Sequence, residues 1–197
     1  MLNKLRHAIN PGLDKMGSIF ASTGMSPAFW TALSLILAAS SGLTYMSAIY
    51  LGSNWYLSSM VGSILLLLSG FFDIVDGCVA RVTKQSSKKG AYLDSVFDKI
   101  SESIIFIGLA IGGLANPIIS QVAISISLLV SYTRAKSEAV GVDLKGIGIG
   151  ERAERLLLIG ILGLIPVEGI LQGAAILVCI LAGITLFQRV SFTIQKL

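Results

Sequence analysis

The chain has 197 residues, of which 54% are hydrophobic and only 13% are charged. A soluble domain carries about 25% charged residues, so the composition excludes an ordinary soluble enzyme and indicates a protein whose solvent is largely the bilayer. This composition also predicts membrane lipid as a partner. The formal net charge is only +4, and we expect no nucleic-acid partner.

The first 23 residues mix charged and apolar side chains, with Lys4, Arg6 and Lys15 among leucines and isoleucines. A cleaved signal would place a short apolar core directly after the first basic residues, and this segment does not. Residues 1–23 therefore predict an amphipathic helix on the membrane surface.

Six apolar segments follow, and several are shorter than the roughly 20 residues that a spanning helix needs. They run from Phe29 to Tyr50, Trp55 to Phe72, Val96 to Leu114, Ile118 to Tyr132, Leu156 to Val167 and Ile170 to Phe187. We expect these helices to continue into polar neighbours such as residues 94–99 and 134–138. Polar residues at membrane depth must line a protein-walled cavity. The sequence predicts an all-α integral membrane fold, a single domain over residues 1–197, with six transmembrane helices.

The distribution of the 15 lysines and arginines predicts the topology. They lie before the first segment, between the second and third or just inside the third, between the fourth and fifth, and after the sixth. The other three connections contain none. By the positive-inside rule, both termini and the basic connections face the cytoplasm of a multi-pass cell-membrane protein.

Four aspartates flank the second connection. Asp73 and Asp76 are three residues apart, and Asp94 and Asp98 are four apart, so each pair shares a helix face. A short loop makes the two helices antiparallel neighbours, so all four carboxylates can meet just inside the cytoplasmic interface. Such a pair is often only a solvated helix face, but two pairs around one loop, at membrane depth, favour a functional site.

Carboxylates that share a partly buried site need counter-charge. Hard oxygen ligands suit Mg²⁺ or Mn²⁺, and two such ions could clamp a phosphoanhydride. Gly77 would let a nucleotide lie against its helix, and Arg81 could pair with a phosphate. One carboxylate could accept the proton of an attacking hydroxyl.

Basic residues cluster at the same predicted interface, in two stretches that end the fourth segment and begin the fifth: Arg134, Lys136, Arg152 and Arg155. Cations beside a metal site favour an acceptor that carries its own phosphate. The alternative is that they only satisfy the positive-inside rule or contact anionic lipid headgroups.

The pattern DxxDGxxAR, eight residues, then GxxxDxxxD resembles the signature of the CDP-alcohol phosphotransferase family, and every motif position is met. The resemblance implies that the four aspartates bind metal and that Asp98 is also the general base. It implies contacts of Gly77, Arg81 and Ser87 with a CDP-linked donor and, less specifically, of Thr31.

The resemblance also implies the reaction. The acceptor hydroxyl attacks the donor's β-phosphorus, CMP leaves, and a phosphodiester remains in the lipid. The basic stretches resemble segments of the family's phosphatidylinositol-phosphate and archaetidylinositol-phosphate synthases, with Arg189 as a further basic residue of the pocket. The acceptor implied is inositol phosphate, the donor lipid is phosphatidyl or archaetidyl, and the enzyme is a homodimer.

Three alternatives stay open at this point. Glycerol 3-phosphate could be the acceptor, or CDP-inositol the donor, with the same chemistry. From another class, six spans with buried carboxylates could form a divalent-cation transporter, although carboxylates at one interface and the absence of a repeat argue against it. Release of CMP would separate an enzyme from a transporter.

Overall fold

The computed structural model describes residues 2–197, with side chains described from residue 12 onward, and its regular structure in that range is entirely helical. The helices are α1 (Leu2–Ala21), α2 (Pro27–Met46), α3 (Ala48–Leu51), a 3₁₀ turn (Gly52–Asn54), α4 (Trp55–Val82), α5 (Lys88–Ile111), α6 (Pro117–Ala139), α7 (Arg152–Leu162) and α8 (Ile170–Lys196). The predicted all-helical class is confirmed for these residues.

Helix starts follow ordinary capping chemistry. The Ser26 hydroxyl accepts a hydrogen bond from the Phe29 N–H before α2, and the Asn116 side chain accepts one from the Ile118 N–H before α6. A proline follows each cap, where its missing N–H costs nothing. Near its start α5 includes residues 94–99, and at its end α6 includes residues 134–138, so both helices extend into polar sequence as the short apolar segments predicted.

Helices α2 and α4 form an antiparallel pair held by small and hydroxyl-bearing residues. The Ser34 hydroxyl donates to the Ser69 carbonyl at 3.0 Å, and the Ser41 hydroxyl donates to the Gly62 carbonyl at 2.6 Å. On another face of α2, a Cβ on Gly108 of α5 would collide with the Gly42 backbone. Small residues let helix backbones approach closely, which is how helices associate in lipid.

The described part of α1 packs on the protein. Phe20 makes edge-on contacts with Trp30 of α2 and with Phe72 of α4, and a Cβ on Gly17 would lie 2.9 Å from the Cys78 carbonyl oxygen. The amphipathic pattern that we predicted for residues 1–23 falls largely on side chains 1–11, which lie outside the described residues.

Helix α7 is shorter than the predicted fifth span from Leu156 to Val167. It begins earlier, at Arg152, and ends at Leu162, so its 11 residues extend only about 16 Å. It ends where Gly163 packs against α4, and a Cβ there would collide with the Ser63 hydroxyl. Pro166, three residues after Gly163, cannot continue a helix, so α7 ends before the apolar run does.

Three stretches of helix are long and apolar enough to cross a bilayer: residues 27–82, which include both α2 and α4, residues 117–139 and residues 170–196. The protein is thus a helical membrane protein. The count of six spans and the cytoplasmic position of the termini stay predictions.

The helices bring their polar ends together at one end of the bundle. Contacts join Asp73 of α4 and Asp98 of α5 to Arg152 at the start of α7, and Val130 of α6 to Arg189 near the end of α8. The regions where the apolar segments give way to charged residues therefore converge, which positions the site.

Candidate active site

Three carboxylates form the centre of the site. Asp73 and Asp76 lie on successive turns of α4, Asp94 lies on α5, and one oxygen from each carboxylate is within 4.8 Å of the others. Asp76 is only 7% exposed, and its Oδ2 atom is buried without a hydrogen-bond partner among the described residues.

The donor set fits a divalent cation. Carboxylate oxygens are the ligands that Mg²⁺ and Mn²⁺ prefer. A buried carboxylate oxygen without a partner is costly unless a cation or a donor meets it, and Asp76 Oδ2 is such an atom. Asp73, Asp76 and Asp94 could therefore hold a metal ion.

Asp98 lies beside this cluster but is joined to it through an arginine. The Arg152 Nη1 atom is 2.7 Å from Asp98 Oδ1 and 3.0 Å from Asp73 Oδ2, so one nitrogen bridges α4 and α5. Three of the four aspartates come together, and the fourth pairs with Arg152, which the sequence had assigned to the acceptor. That all four bind metal stays a prediction.

A cavity of about 270 Å³, called the narrow cavity below, opens on one side of the aspartates. The residues predicted to contact a CDP-linked donor all line it, together with two of the aspartates: Thr31, Gly77, Arg81, Ser87, Asp76 and Asp94. Residues from α2, α4 and the start of α5 thus line one space, and their contact with a donor stays a prediction from the family resemblance.

Each of these residues has a defined local setting. A Cβ on Gly77 would meet only Arg81 Nη1, at 3.6 Å, so the missing side chain leaves open space above α4. Arg81 Nη2 donates to Cys78 Sγ at 3.1 Å. Ser87 caps α5 by accepting from the Gly90 N–H at 3.0 Å, so its hydroxyl has a structural task at the rim.

A larger cavity of about 710 Å³, called the basic cavity below, opens on the other side. Its lining includes five cations and five carboxylates: Lys99, Arg134, Arg152, Arg155, Arg189, Asp73, Asp94, Asp98, Glu138 and Glu151. Asp94 and Ala91 line both cavities, whereas Asp76 lines only the narrow one and Asp98 only the basic one.

Arg155 lines the basic cavity and is held there by bonds within the protein. It is 1% exposed, and its guanidinium makes a bidentate pair with Glu102, at 2.8 and 2.9 Å, and donates to the Gly150 carbonyl at 2.6 Å. Its hydrogen bonds therefore join α7 to α5 and to the preceding turn. These bonds hold Arg155 in place in this structure, and its expected contact with an acceptor phosphate stays a prediction.

The other basic residues that we predicted for the acceptor pocket differ in burial and in their partners. Arg189 is buried and donates to the carbonyls of Ile147, at 3.0 Å, and Val130, at 2.8 Å, so it fixes backbone. Arg134 is half exposed, with its Nε atom bonded to Glu138 at 3.0 Å. Lys136 is exposed and is not among the residues that line the basic cavity, and its expected contact with the acceptor stays a prediction.

Sequence reasoning missed two residues of the site. Glu102 continues the series Asp94, Asp98, Glu102 at four-residue spacing along α5, and this periodicity was the available signal. Lys99 counted only toward topology, yet it lines the basic cavity beside Asp98.

Cys78 is buried and Cys179 partly buried, and both are free thiols.

Comparison with known proteins identifies relatives over nearly the whole chain. A sequence model of the family described as CDP-alcohol phosphatidyltransferase matches residues 24–195. The archaetidylinositol phosphate synthase of Pyrococcus horikoshii is 34% identical, covering 96% of this chain and 95% of that protein. The enzyme of the same name from Methanothermobacter thermautotrophicus is 31% identical, covering 100% of this chain and 96% of that protein.

The fold has a solved counterpart. The crystal structure of Mycobacterium tuberculosis phosphatidylinositol phosphate synthase with CDP-DAG bound superposes with a TM-score of 0.76, at 23% identity, covering 92% of each chain. The same protein with manganese and citrate gives a TM-score of 0.75, covering 92% of this chain and 88% of that one. At this identity the likeness establishes the shared fold.

The family model covers most of the chain, and two relatives above 30% identity cover almost all of it. The protein is a membrane enzyme that belongs to the CDP-alcohol phosphatidyltransferase family.

Proposed function

We propose that the enzyme transfers a phosphatidyl or archaetidyl group from a CDP-linked lipid to a hydroxyl of inositol phosphate and releases CMP. The observation that carries this proposal is the pair of cavities that meet at Asp94. Two substrates that must react need two spaces with one shared boundary, and Asp94, one of three aspartates that could hold a metal ion, lies at that boundary.

The narrow cavity suits the CDP group of the donor. Gly77 leaves room for a nucleotide against α4, and Arg81 can pair with a phosphate through its planar guanidinium. Asp76 faces this cavity with a buried, unpartnered oxygen. The solved relative with CDP-DAG bound supports a CDP-linked lipid as the donor.

Asp73, Asp76 and Asp94 would hold a divalent cation, and Asp98 would join them in a site for two ions. Such ions, when bound, neutralise phosphate charge and stabilise the leaving CMP. The manganese in a relative's structure supports this assignment, and Mg²⁺ meets the same ligand preference.

The basic cavity suits the acceptor, and Asp98 is the general base. Asp98 lines the basic cavity and not the narrow one, so its carboxylate can take the proton of an acceptor hydroxyl. The deprotonated oxygen attacks the β-phosphorus of the donor, a new oxygen–phosphorus bond forms, and the bond to CMP breaks. Arg152, which contacts Asp98 at 2.7 Å, orients this carboxylate.

The cations of the basic cavity support an acceptor that carries a phosphate, and two relatives named archaetidylinositol phosphate synthase favour inositol phosphate as that acceptor. From the predicted topology, the site faces the cytoplasm at the cell membrane. The homodimer stays a prediction from the family resemblance.

Release of CMP by purified protein with Mg²⁺ tests the proposal. The protein would be given ester- and ether-linked CDP-lipids and CDP-inositol, with inositol 1-phosphate or glycerol 3-phosphate as the acceptor. We expect release with a CDP-lipid and inositol phosphate. Release only with glycerol 3-phosphate would overturn the acceptor, and release with no combination would contradict the proposed reaction.

A further inference from the structure

A further cavity, of about 520 Å³ and called the loop groove below, lies between the glycine-rich loop that precedes α7 and the last turns of α8. Its lining consists of loop residues and one face of α8: Gly146, Ile147, Gly148, Ile149, Phe187, Gln188, Ser191, Phe192 and Gln195. None of these residues lines the narrow cavity or the basic cavity. We propose that the loop groove binds the headgroup of an anionic phospholipid.

The loop side of the groove is held in place by contacts within the protein. The Ile147 carbonyl accepts a hydrogen bond from Arg189 Nε at 3.0 Å, and the Gly150 N–H donates to the Thr185 hydroxyl at 2.8 Å. Gly148 has a φ of +120°, and a Cβ there would collide with the Thr185 methyl group, so glycine allows the loop to approach α8 closely. A binding surface that is already ordered loses little entropy when a ligand binds.

The groove offers hydrogen-bond donors, and none of the described residues that line it is acidic. Three backbone N–H groups of the loop donate to no acceptor in the part of the chain that the structure describes: those of Gly146, Gly148 and Ile149. Backbone N–H groups in a concave loop form anion-binding sites. The α8 side adds the amide of Gln188, whose Oε1 atom is buried without a partner among the described residues. A buried oxygen of this kind is costly unless a donor, such as a headgroup hydroxyl, meets it.

The surroundings of the groove favour a lipid over a soluble anion. Helix α8 is long and apolar enough to cross a bilayer, and in its last turns Phe187 is 73% exposed and Ile194 68% exposed. The Lys196 ammonium lies 5.8 Å from the centroid of the Phe192 ring, which lines the groove, and Lys145 directly precedes the loop residues of the lining. Cations beside the end of a spanning helix attract anionic headgroups. Exposed apolar side chains beside them suit acyl or isoprenoid chains.

Two competing assignments are separated by the choice of lipid and of variant. An anionic lipid could bind only in the narrow cavity proposed for the donor, but Arg81 lines that cavity and not the loop groove, so Arg81→Gln distinguishes the two sites. A lipid could also cover the apolar side chains without any headgroup contact, and then its charge would not matter. Binding is measured without an acceptor, so the result does not depend on the proposed reaction.

The test is native mass spectrometry of the purified full-length protein, titrated with dioctanoyl phosphatidylglycerol or dioctanoyl phosphatidylcholine. We expect the wild type to bind phosphatidylglycerol at least about fivefold more tightly, because only this headgroup carries a net negative charge. Ser191→Trp fills the groove and should weaken this binding at least about tenfold, comparable with the loss of a hydrogen bond to a charged group. Lys196→Gln removes one cation and should weaken it about fivefold.

The matched controls are Ser125→Trp, at an exposed position on α6, and Lys89→Gln, at an exposed position near the start of α5. Both controls and Arg81→Gln should bind phosphatidylglycerol as the wild type does. Equal binding of the two lipids would overturn the proposal, as would unchanged binding in Lys196→Gln or in a folded Ser191→Trp. Loss of binding in Arg81→Gln would also overturn it, because the lipid would then belong to the narrow cavity.

Discussion

The narrow and basic cavities share Asp94 and Ala91 but are built by opposite means. The narrow cavity exists because side chains are small: Gly77, Ala80 and Gly90 lie along it, with Arg81 as the cation in its described lining. The basic cavity is lined by equal numbers of cations and carboxylates. A space made by missing side chains fits an extended, flat ligand, whereas one made by balanced charge fits a small ionic ligand.

The basic cavity itself contains a second contrast. The pair of Arg155 and Glu102 is buried, with side chains at most 6% exposed, while the pair of Arg134 and Glu138 is about half exposed. The buried pair holds α7 against α5, and so keeps Arg152 in contact with Asp98. The exposed pair can open at little cost to meet a substrate.

The largest effect is expected at the boundary between the cavities. Asp98→Asn removes the base, so kcat should fall about 10³-fold, within the range that general-base catalysis contributes. The thermal unfolding temperature should be unchanged, because the amide can still accept from Arg152. CMP release by Asp98→Asn, compared with Asp143→Asn in the exposed loop, checks this. Full activity in the variant would rule out Asp98 as the base.

A bulky residue in the narrow cavity should affect the donor alone. Gly77→Leu places a side chain in the space above α4, so kcat/KM for the CDP-lipid should fall about 100-fold, equivalent to about 2.7 kcal/mol. The acceptor KM should be unchanged. Gly70→Leu is the matched control, because a Cβ at Gly70 on the same helix meets nothing within 4 Å. Equal loss of affinity for both substrates would contradict separate cavities.

The two ion pairs should differ in their contribution to stability. Glu102→Gln leaves Arg155 buried beside a neutral amide, so we expect a loss of about 3–5 kcal/mol in the free energy of unfolding. Glu138→Gln should change it by about 1 kcal/mol or less. Denaturation of both variants in the same detergent measures the difference. Similar losses in the two would show that burial does not distinguish these pairs.

The smallest effect is expected for a cation outside both cavities. Lys136→Gln should change the acceptor KM by less than about twofold, because solvent-exposed charges contribute little. The measurement is the acceptor KM of this variant beside that of Arg134→Gln. A rise in acceptor KM equal to that of Arg134→Gln would show that Lys136 contributes to acceptor binding.

The sequence predicted the parts of the site that depend on local spacing. Asp73, Asp76 and Asp94 meet because three-residue spacing and a short connection bring the aspartates of α4 and α5 to one depth. The family resemblance implied that Thr31, Gly77, Arg81 and Ser87 contact one ligand, and these residues line one cavity. The extension of α5 and α6 into polar residues followed from the length that a spanning helix needs.

The remaining features depend on packing between helices that are distant in sequence. Arg152 and Arg155 are three residues apart and chemically identical, yet one contacts aspartates and the other is enclosed with Glu102. That difference arises from how α7 lies against α5, which no spacing within residues 150–155 reveals.

The central claim is that each cavity receives one substrate, and a matched pair of arginine variants tests it most directly. The measurement is the KM for CDP-lipid and for inositol phosphate in Arg81→Gln and in Arg134→Gln. The account predicts a crossed result, with about a tenfold rise in donor KM only for Arg81→Gln and a similar rise in acceptor KM only for Arg134→Gln. If either variant raised both constants equally, the assignment of one substrate to each cavity would be contradicted.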